Sequence, residues 1–450
     1  MKPMTLREIA DAVHGVLNDK TRADLTIQDV YTDTRGNVPG GLFIPLRGGN
    51  FDGHAYLPDA FAECSAAAAA LTDVYSELNH PLIRVSDTRQ ALLDLAGHYR
   101  RKFAAKVVAV TGSAGKTTTK ELIACVLAEK FRVLKTEGNL NNEIGVPKML
   151  FRLTDEYDIA VLEMGMSGFG ELHRISRAAQ PDMAVIVNVG DAHIENLGSR
   201  EGILRAKAEA LDFLPPDAPI FLNGADEQLI KLRGTRRGIS FYGVDVYASH
   251  VEKLGLAGVR FVCHGGGLAF PIAVPLPGEH MVSNALAAAS VGLAFGMTGE
   301  EIAAGIAKFV PAAMRMQTSR SVSGATIVDD SYNANPAAMR AALDVLAAEK
   351  GRRVAVLGDM LELGEYSAIR HEEIGRYAAS LGIELLVCIG AESRKMADGA
   401  RAADGNVRYY ETREAFLPFA RDVLSGGGTV LVKASRGMGF EKIVEKLRYV

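Results

Sequence analysis

Apolar residues fall along this chain in short β-branched blocks, separated by stretches with helical spacing. The blocks lie at 107–110, 159–162, 184–189 and 220–222, and after residue 311 at 326–328, 354–357, 385–389 and 430–432. Strands alternating with helices predict parallel βαβ units and sheets covered on both faces. Before Lys106 the pattern is mixed. Leu6, Ile9 and Val13 repeat as on an amphipathic helix, 41–46 reads as a strand, and 66–71 is an alanine-rich run. The expected fold is α/β with three domains. They are a small N-terminal α/β domain (1–104), a central P-loop-type, mostly parallel sheet domain (105–310) and a C-terminal Rossmann-like, doubly wound domain (311–450), with Pro311 as punctuation.

The strongest local signal follows the first parallel block. Thr111, Gly112, Ser113, Ala114, Gly115, Lys116, Thr117 and Thr118 lead from a strand into a helix carrying Leu122, Ile123, Val126 and Leu127. Glycines let backbone N–H groups turn towards a phosphate, and a helix N-terminus adds partial positive charge. Lys116 is placed to reach the outer phosphates of a nucleotide, and the Thr117 hydroxyl to ligate Mg²⁺. Only the second half of the Walker pattern is present, because its first glycine falls on Val110. The competing reading is a glycine-containing turn with no ligand.

Two further strand ends carry chemistry. The block 159–162 ends in Glu163, a carboxylate suited to a Mg²⁺ that bridges phosphates. The block 184–189 is followed by Gly190, Asp191, Ala192 and His193, which puts an imidazole just beyond a strand's carboxyl end. Surface decoration is the plainer explanation for either residue alone. Lys207 projects from the middle of a helical stripe made by Ile203, Leu204, Leu211 and Leu214. A buried ammonium must be paired, snorkel to solvent or be held neutral, and all three remain open for Lys207.

Composition narrows the partners. With 450 residues, 48% hydrophobic and 23% charged, the chain is an ordinary globular one and neither a coiled coil nor a disordered tail. Fifty Lys and Arg against 54 Asp and Glu give a net charge of −4, so no basic field points to nucleic acid. Any anion must be held by local chemistry. The most apolar stretch, 285–297, is shorter than the ~20 residues of a membrane span. The N-terminus lacks a secretory apolar core, so a cytoplasmic chain without membrane insertion is expected. Cys64, Cys125, Cys263 and Cys388 show no CxxC spacing and read as buried thiols in a reducing compartment.

Together these features resemble the Mur ligases, the ATP-dependent amide-forming enzymes of peptidoglycan precursor synthesis. The resemblance rests on motifs spread over nearly the whole chain. They are 32–35 (TDTR) with 39–43 (PGGLF), 111–118, 138–145 (GNLNNEIG), Glu163 with Met164 and Gly165, His193, Lys207, 329–336 (DDSYNANP), 357–365 (LGDMLELGE) and 433–436 (KASR). The stretches YNANP and GDMLELG resemble the branch that adds D-Ala-D-Ala. Two positions depart: Ala114 stands where many relatives carry Asn, and Met281 where the family usually has Asn.

The resemblance implies an acceptor, UDP-MurNAc-tripeptide, whose terminal carboxylate is phosphorylated by ATP and then attacked by the amine of D-Ala-D-Ala. Lys116, Glu163, His193 and Lys207 are the implied catalytic residues. Two Mg²⁺ ions are implied, held among Thr117, Glu163, His193 and Lys207, the lysine as a CO₂-derived carbamate. Asn284, Arg315 and Asp330 would bind ATP beside the phosphate loop. For Asn284 a helix-capping role competes, and for Arg315 a solvated charge. Thr34, Arg35, Asn139 and Asn142 would face the UDP-sugar, with turn formation as the competing role, and Arg436 would face the dipeptide or phosphate. A monomer is expected. The alternatives are another Mur-type or folylpolyglutamate-type ligase, or a nucleotide switch that uses ATP only to change shape.

Overall fold

The block after Lys106 becomes the strand Lys106–Thr111, in which every residue except Lys106 is buried. It is fully covered, as a continuous β-branched run in a parallel sheet should be. A computed structural model of the chain describes residues 1–36, 38–49, 51–62, 67–74 and 78–450. Contacts divide these residues into two units. The first comprises Met1–Val110, Phe131–Ala184 and Ala208–Ala218; the second comprises Thr111–Lys130, Val185–Lys207 and Pro219–Val450.

In the first unit, Ile159–Glu163 pairs in parallel with Lys106–Thr111 on one side and with Val133–Lys135 on the other. A separate five-stranded sheet has the order Val16–Leu17, Leu82–Arg84, Ala69–Thr72, Leu42–Phe43, Val30–Tyr31. Its first pair is antiparallel and the rest are parallel. Tyr31, Phe43, Leu57, Ala60, Ala70 and Leu82 form its core. The predicted N-terminal helix is present as Leu6–Ala12, and Leu6 and Ile9 are buried. Cys64 and Ala66 lie outside the described residues.

In the second unit a six-stranded sheet has the order Gln317–Arg320, Thr326–Asp329, Thr429–Lys433, Arg353–Gly358, Leu385–Ile389, Val407–Tyr410. Only the first pairing is antiparallel. Val354, Val356, Val387, Val430 and Val432 pack against Phe416, Val423, Ile443 and Leu447 from the accompanying helices. Carboxyl ends of neighbouring parallel strands bring Asp330 and Lys433 together at one edge, the position at which such sheets bind ligands.

Four features differ from the expected pattern, and the first is the strand expected over 41–46, which is confined to Leu42–Phe43. Tyr247–Lys253, Val259–Gly265 and Leu268–Val274 form an antiparallel sheet rather than a βαβ unit. Its tight turn is Gly266-Gly267, with φ of +60° and +78°, which a twisted two-residue hairpin requires of both central residues. The strand expected over 184–189 ends at Ile186, because the following residues turn to serve the phosphate loop. The helix expected over 201–214 is α-helical only from Arg200 to Ala208 and tightens into a 3₁₀ turn at Glu209–Leu211. Cys263 and Cys388 are buried thiols, whereas Cys125 is only half-buried. Among the described residues, no helix is long and apolar enough to cross a membrane.

Candidate active site

The phosphate loop in the second unit is built by local necessity. Gly115 precedes the helix Lys116–Leu127 at φ +77°, and a Cβ there would also stand 3.3 Å from Asn284 Oδ1. The loop is clamped from the segment after Ile186. The Asn188 side-chain oxygen accepts from the N–H groups of Ser113 (3.0 Å) and Ala114 (2.8 Å), and its amide donates to the Ala114 carbonyl at 3.0 Å. Gly190 N–H donates to Ser113 Oγ at 2.9 Å. Lys116 Nζ folds back to donate to the Gly112 carbonyl at 2.7 Å, inside the curve of the loop.

Asn284 lies in the second turn of the helix His280–Ala294, which rules out the capping role. Its side chain is buried and accepts from Thr119 Oγ1 at 3.3 Å, tying that helix to the phosphate-loop helix. Arg315 is equally engaged. Its Nη2 donates to Thr117 Oγ1 at 3.2 Å, and its guanidinium stacks 4.3 Å from the Tyr332 ring centroid. Met314 (φ +59°) and Met316 (φ +49°) flank it in the left-handed region, at about 1–2 kcal/mol each. This local strain accompanies the aiming of the guanidinium at the loop. Asp330 accepts from Met316 N–H at 3.2 Å and pairs with the buried Lys433, which also donates to the Asn333 carbonyl at 3.0 Å.

These side chains enclose a cavity of about 180 Å³ lined by Ala114, Gly115, Thr118, Asn188, His280, Asn284, Arg315, Asp330 and Lys433. His280 lines the cavity with an exposed imidazole. Arg436 completes the group around Tyr332. It lies 5.8 Å from the ring centroid, and its backbone N–H donates to Asn333 Oδ1 at 3.4 Å.

Lys207 is 2% exposed and has no hydrogen bond or ion pair among the described residues. Burial, and then the positive charge of Lys116, hold its amine well below the ordinary 10.5. Of the three options open in the sequence, no pairing is seen among the described residues, and burial shifts the amine towards its neutral form. His193 sits at φ +63°, ahead of the short helix Ile194–Leu197, with Nδ1 2.8 Å from Glu362 Oε2. The contact with His193 holds the Glu362 carboxyl below its ordinary value. Beside it Asp191 joins Arg200 (2.7 Å) and Arg370 (3.1 Å).

In the first unit, Glu163 ends its strand with both oxygens buried. Oε1 accepts from Asn141 Nδ2 at 2.8 Å, and Oε2 has no partner. An orphaned, buried carboxylate oxygen at a strand end fits a cation. No group of three or more His, Cys, Asp or Glu forms a closed metal cage among the described residues. Asn142 caps the helix Gly145–Leu150 by accepting from the N–H groups of Ile144 and Gly145, and Asn139 is exposed. Arg35 is exposed and forks onto Asp33, with Thr34 half-buried between them. A groove of about 700 Å³ in this unit is lined by Tyr31, Thr32, Asp33, Lys148, Arg152 and Tyr157 among others.

With this geometry in view, comparison with known proteins decides the family. Residues 110–292 match the Mur ligase middle domain and 314–436 the Mur ligase, glutamate ligase domain. The UDP-N-acetylmuramoyl-tripeptide–D-alanyl-D-alanine ligase of Bacillus subtilis is 38% identical over 98% of both chains. The chain belongs to the Mur ligase family. A Mur ligase of the same name from Escherichia coli is 35% identical over 100% of this chain and 99% of its own. The crystal structure of MurF from Acinetobacter baumannii superposes with a TM-score of 0.94 at 32% identity, covering 100% of this chain and 99% of that one. MurF from Thermotoga maritima in complex with ADP gives 0.84 at 27% identity, over 93% and 97%. The fold is the three-domain Mur ligase fold.

Sequence reasoning missed Asn188, Asn141, Lys433 and the cationic groove residues Lys148 and Arg152. For Lys433 a signal existed, as a lone lysine ending an otherwise apolar strand. Asn188 leads to a first prediction. Replacing it by alanine leaves the Ala114 N–H without its acceptor and the Ser113 N–H with only the backbone carbonyl of residue 188, at about 1–3 kcal/mol. Asn188→Ala is expected to raise the ATP KM roughly tenfold or more, with a smaller change in kcat. Steady-state kinetics with ATP varied checks this; an unchanged KM would remove Asn188 from the phosphate cradle.

Proposed function

We propose that this protein joins D-Ala-D-Ala to UDP-MurNAc-tripeptide, using ATP and releasing ADP and phosphate. The observation that carries the reading is the juxtaposition, in one unit, of a clamped phosphate loop bearing Lys116 with a buried Lys207 whose amine is shifted towards its neutral form. The full-length likeness to D-alanyl-D-alanine ligases supports the choice of substrates. The domains would divide the work as 1–104 for UDP-substrate binding, 105–310 for ATP and catalysis, and 311–450 for closing over ATP and holding the dipeptide.

The phosphate loop, the N-terminus of helix Lys116–Leu127 and Lys116 bind the triphosphate and offset its charge. Asn284, Arg315 and Asp330 hold the rest of the nucleotide in the cavity they line. A terminal carboxylate oxygen of the tripeptide bonds to the γ-phosphorus as the bond to ADP breaks, giving an acyl phosphate. The dipeptide amine then bonds to the acyl carbon, loses a proton, and phosphate departs. Almost all of this catalysis is positioning and charge neutralisation.

In the second unit Thr117, and His193 with a carbamate on Lys207, would be Mg²⁺ ligands, and in the first unit Glu163 would be one; when bound, Mg²⁺ would neutralise the transferring oxygens. Forming the carbamate requires an unprotonated amine, whose nitrogen bonds to CO₂ with loss of one proton. Burial of Lys207 lowers its proton affinity and so favours that form. Tyr31, Thr32, Lys148 and Arg152 around the larger groove supply aromatic and cationic contacts for the UDP part, near the segment that contains Thr34 and Arg35. Asn139 and Asn142 border the same segment of chain, and Arg436 beside Tyr332 would meet the dipeptide carboxylate. A cytoplasmic enzyme acting as a monomer belongs to the same reading.

Phosphate release tests the assignment. With ATP and UDP-MurNAc-tripeptide, D-Ala-D-Ala is expected to drive turnover at least about 100-fold faster than any single amino acid. Turnover driven equally by glutamate or diaminopimelate would assign the chain to a different ligase.

A further inference from the structure

We propose that the first unit carries a second anion site, distinct in composition from the phosphate loop, that takes a free, phosphate-sized oxyanion. The site is a cavity of about 190 Å³ lined by Arg101, Arg174, Arg177, His14, Gln90 and Gln180 among others. All of these residues belong to the first unit, so the inference does not depend on the ligase reading.

Packing explains why the arginines converge. Helix Thr88–Arg100 meets helix Glu171–Ala179 at Gly97, where a Cβ would stand 3.3 Å from the Ala178 Cα. That close approach lets Arg101, one residue past the first helix, share a cavity with Arg174 and Arg177, neighbours on one face of the second. The Arg101 guanidinium lies over Gly97, with Nη1 3.7 Å from the position of that missing Cβ.

Chemistry then points to the ligand. Arg174 is paired through Nε with Glu143. Arg101 and Arg177 have no side-chain hydrogen bond or ion pair among the described residues. The acid in the lining, Asp94, accepts from Gln90 Nε2 at 3.0 Å. His14 (φ +52°) and Gln180 (φ +43°) end their helices in the left-handed region and add further donors to the lining. Arg174 is already compensated by Glu143, so Arg101 and Arg177 are the two forks left for an oxyanion against Asp94 in the lining, and the small volume selects orthophosphate over a larger ester. Bound there, the ion would cross-link the two helices.

Titration calorimetry of the full chain with inorganic phosphate tests this, with a non-hydrolysable ATP analogue saturating the phosphate loop. One saturable site below about 10 mM is expected. The double variant Arg101→Gln/Arg177→Gln should weaken it at least about tenfold, and Arg101→Lys/Arg177→Lys less. Lys116→Ala should leave it unchanged. Should the double glutamine variant unfold, each single variant at these exposed positions is expected to weaken binding about threefold or more. Glycerol phosphate should bind at least about tenfold more weakly than orthophosphate. No saturable heat, equal affinity in the glutamine variants, loss of binding in Lys116→Ala, or equal binding of the ester would overturn the proposal.

Discussion

Lys207→Ala is expected to lose ligation by about 10³-fold or more, and short carboxylic acids such as formate or acetate should restore part of it, about tenfold. Rescue by a small anion is specific to a lysine that acts as a negative group. A lysine that merely packed its stem would show neither the loss nor the rescue. Stability should move the opposite way. Burial lowers the amine's proton affinity in the folded chain relative to the ordinary 10.5. Between the folded and unfolded values the unfolded chain binds more protons, so stability falls as pH drops through that alkaline window. The penalty is complete below the folded value. Lys207→Met removes it, so the variant should be more stable at neutral pH by about 1–3 kcal/mol. Its stability should also lose that slope at alkaline pH. Thermal unfolding of both proteins from neutral to alkaline pH reads the difference, and a methionine variant with the same slope would contradict it.

The second large effect is at Lys116. Lys116→Ala is expected to reduce kcat/KM for ATP by about 10³–10⁴-fold, because the ammonium is the loop's own mobile cation among fixed backbone dipoles. Folding should change far less than turnover: the hydrogen bond to the Gly112 carbonyl is among the contacts the alanine variant gives up, and such a bond contributes about 1 kcal/mol. Kinetics together with thermal unfolding separates the two. Turnover at the normal rate would take the phosphate out of this loop.

What could be read from the sequence was whatever is encoded locally. A β-branched run, two glycines, a lysine and a helical stripe within 106–127 suffice to predict the loop, because each preference acts over a few residues. Lys207 was legible for a similar reason, as a charge in the middle of an apolar face. Asn188 was not, because it looks like part of the strand until the backbone turns at Val187 to meet Thr111. The aim of Arg315 depends on left-handed Met314 and Met316, and methionine carries no sign of that conformation. The antiparallel sheet was readable in part. Val259, Phe261 and Cys263 alternate with Arg260, Val262 and His264, and the pair Gly266-Gly267 follows, yet the dominant βαβ rhythm masked it.

The proposed chemistry turns on one step, phosphorylation of the peptide carboxylate before the amine attacks. UDP-MurNAc-tripeptide carrying ¹⁸O in both oxygens of its terminal carboxylate tests it in a single turnover with ATP and D-Ala-D-Ala. Mass spectrometry is expected to find one ¹⁸O in each phosphate released and one in the new amide. Phosphate free of ¹⁸O would mean that no acyl phosphate forms, and would contradict the account.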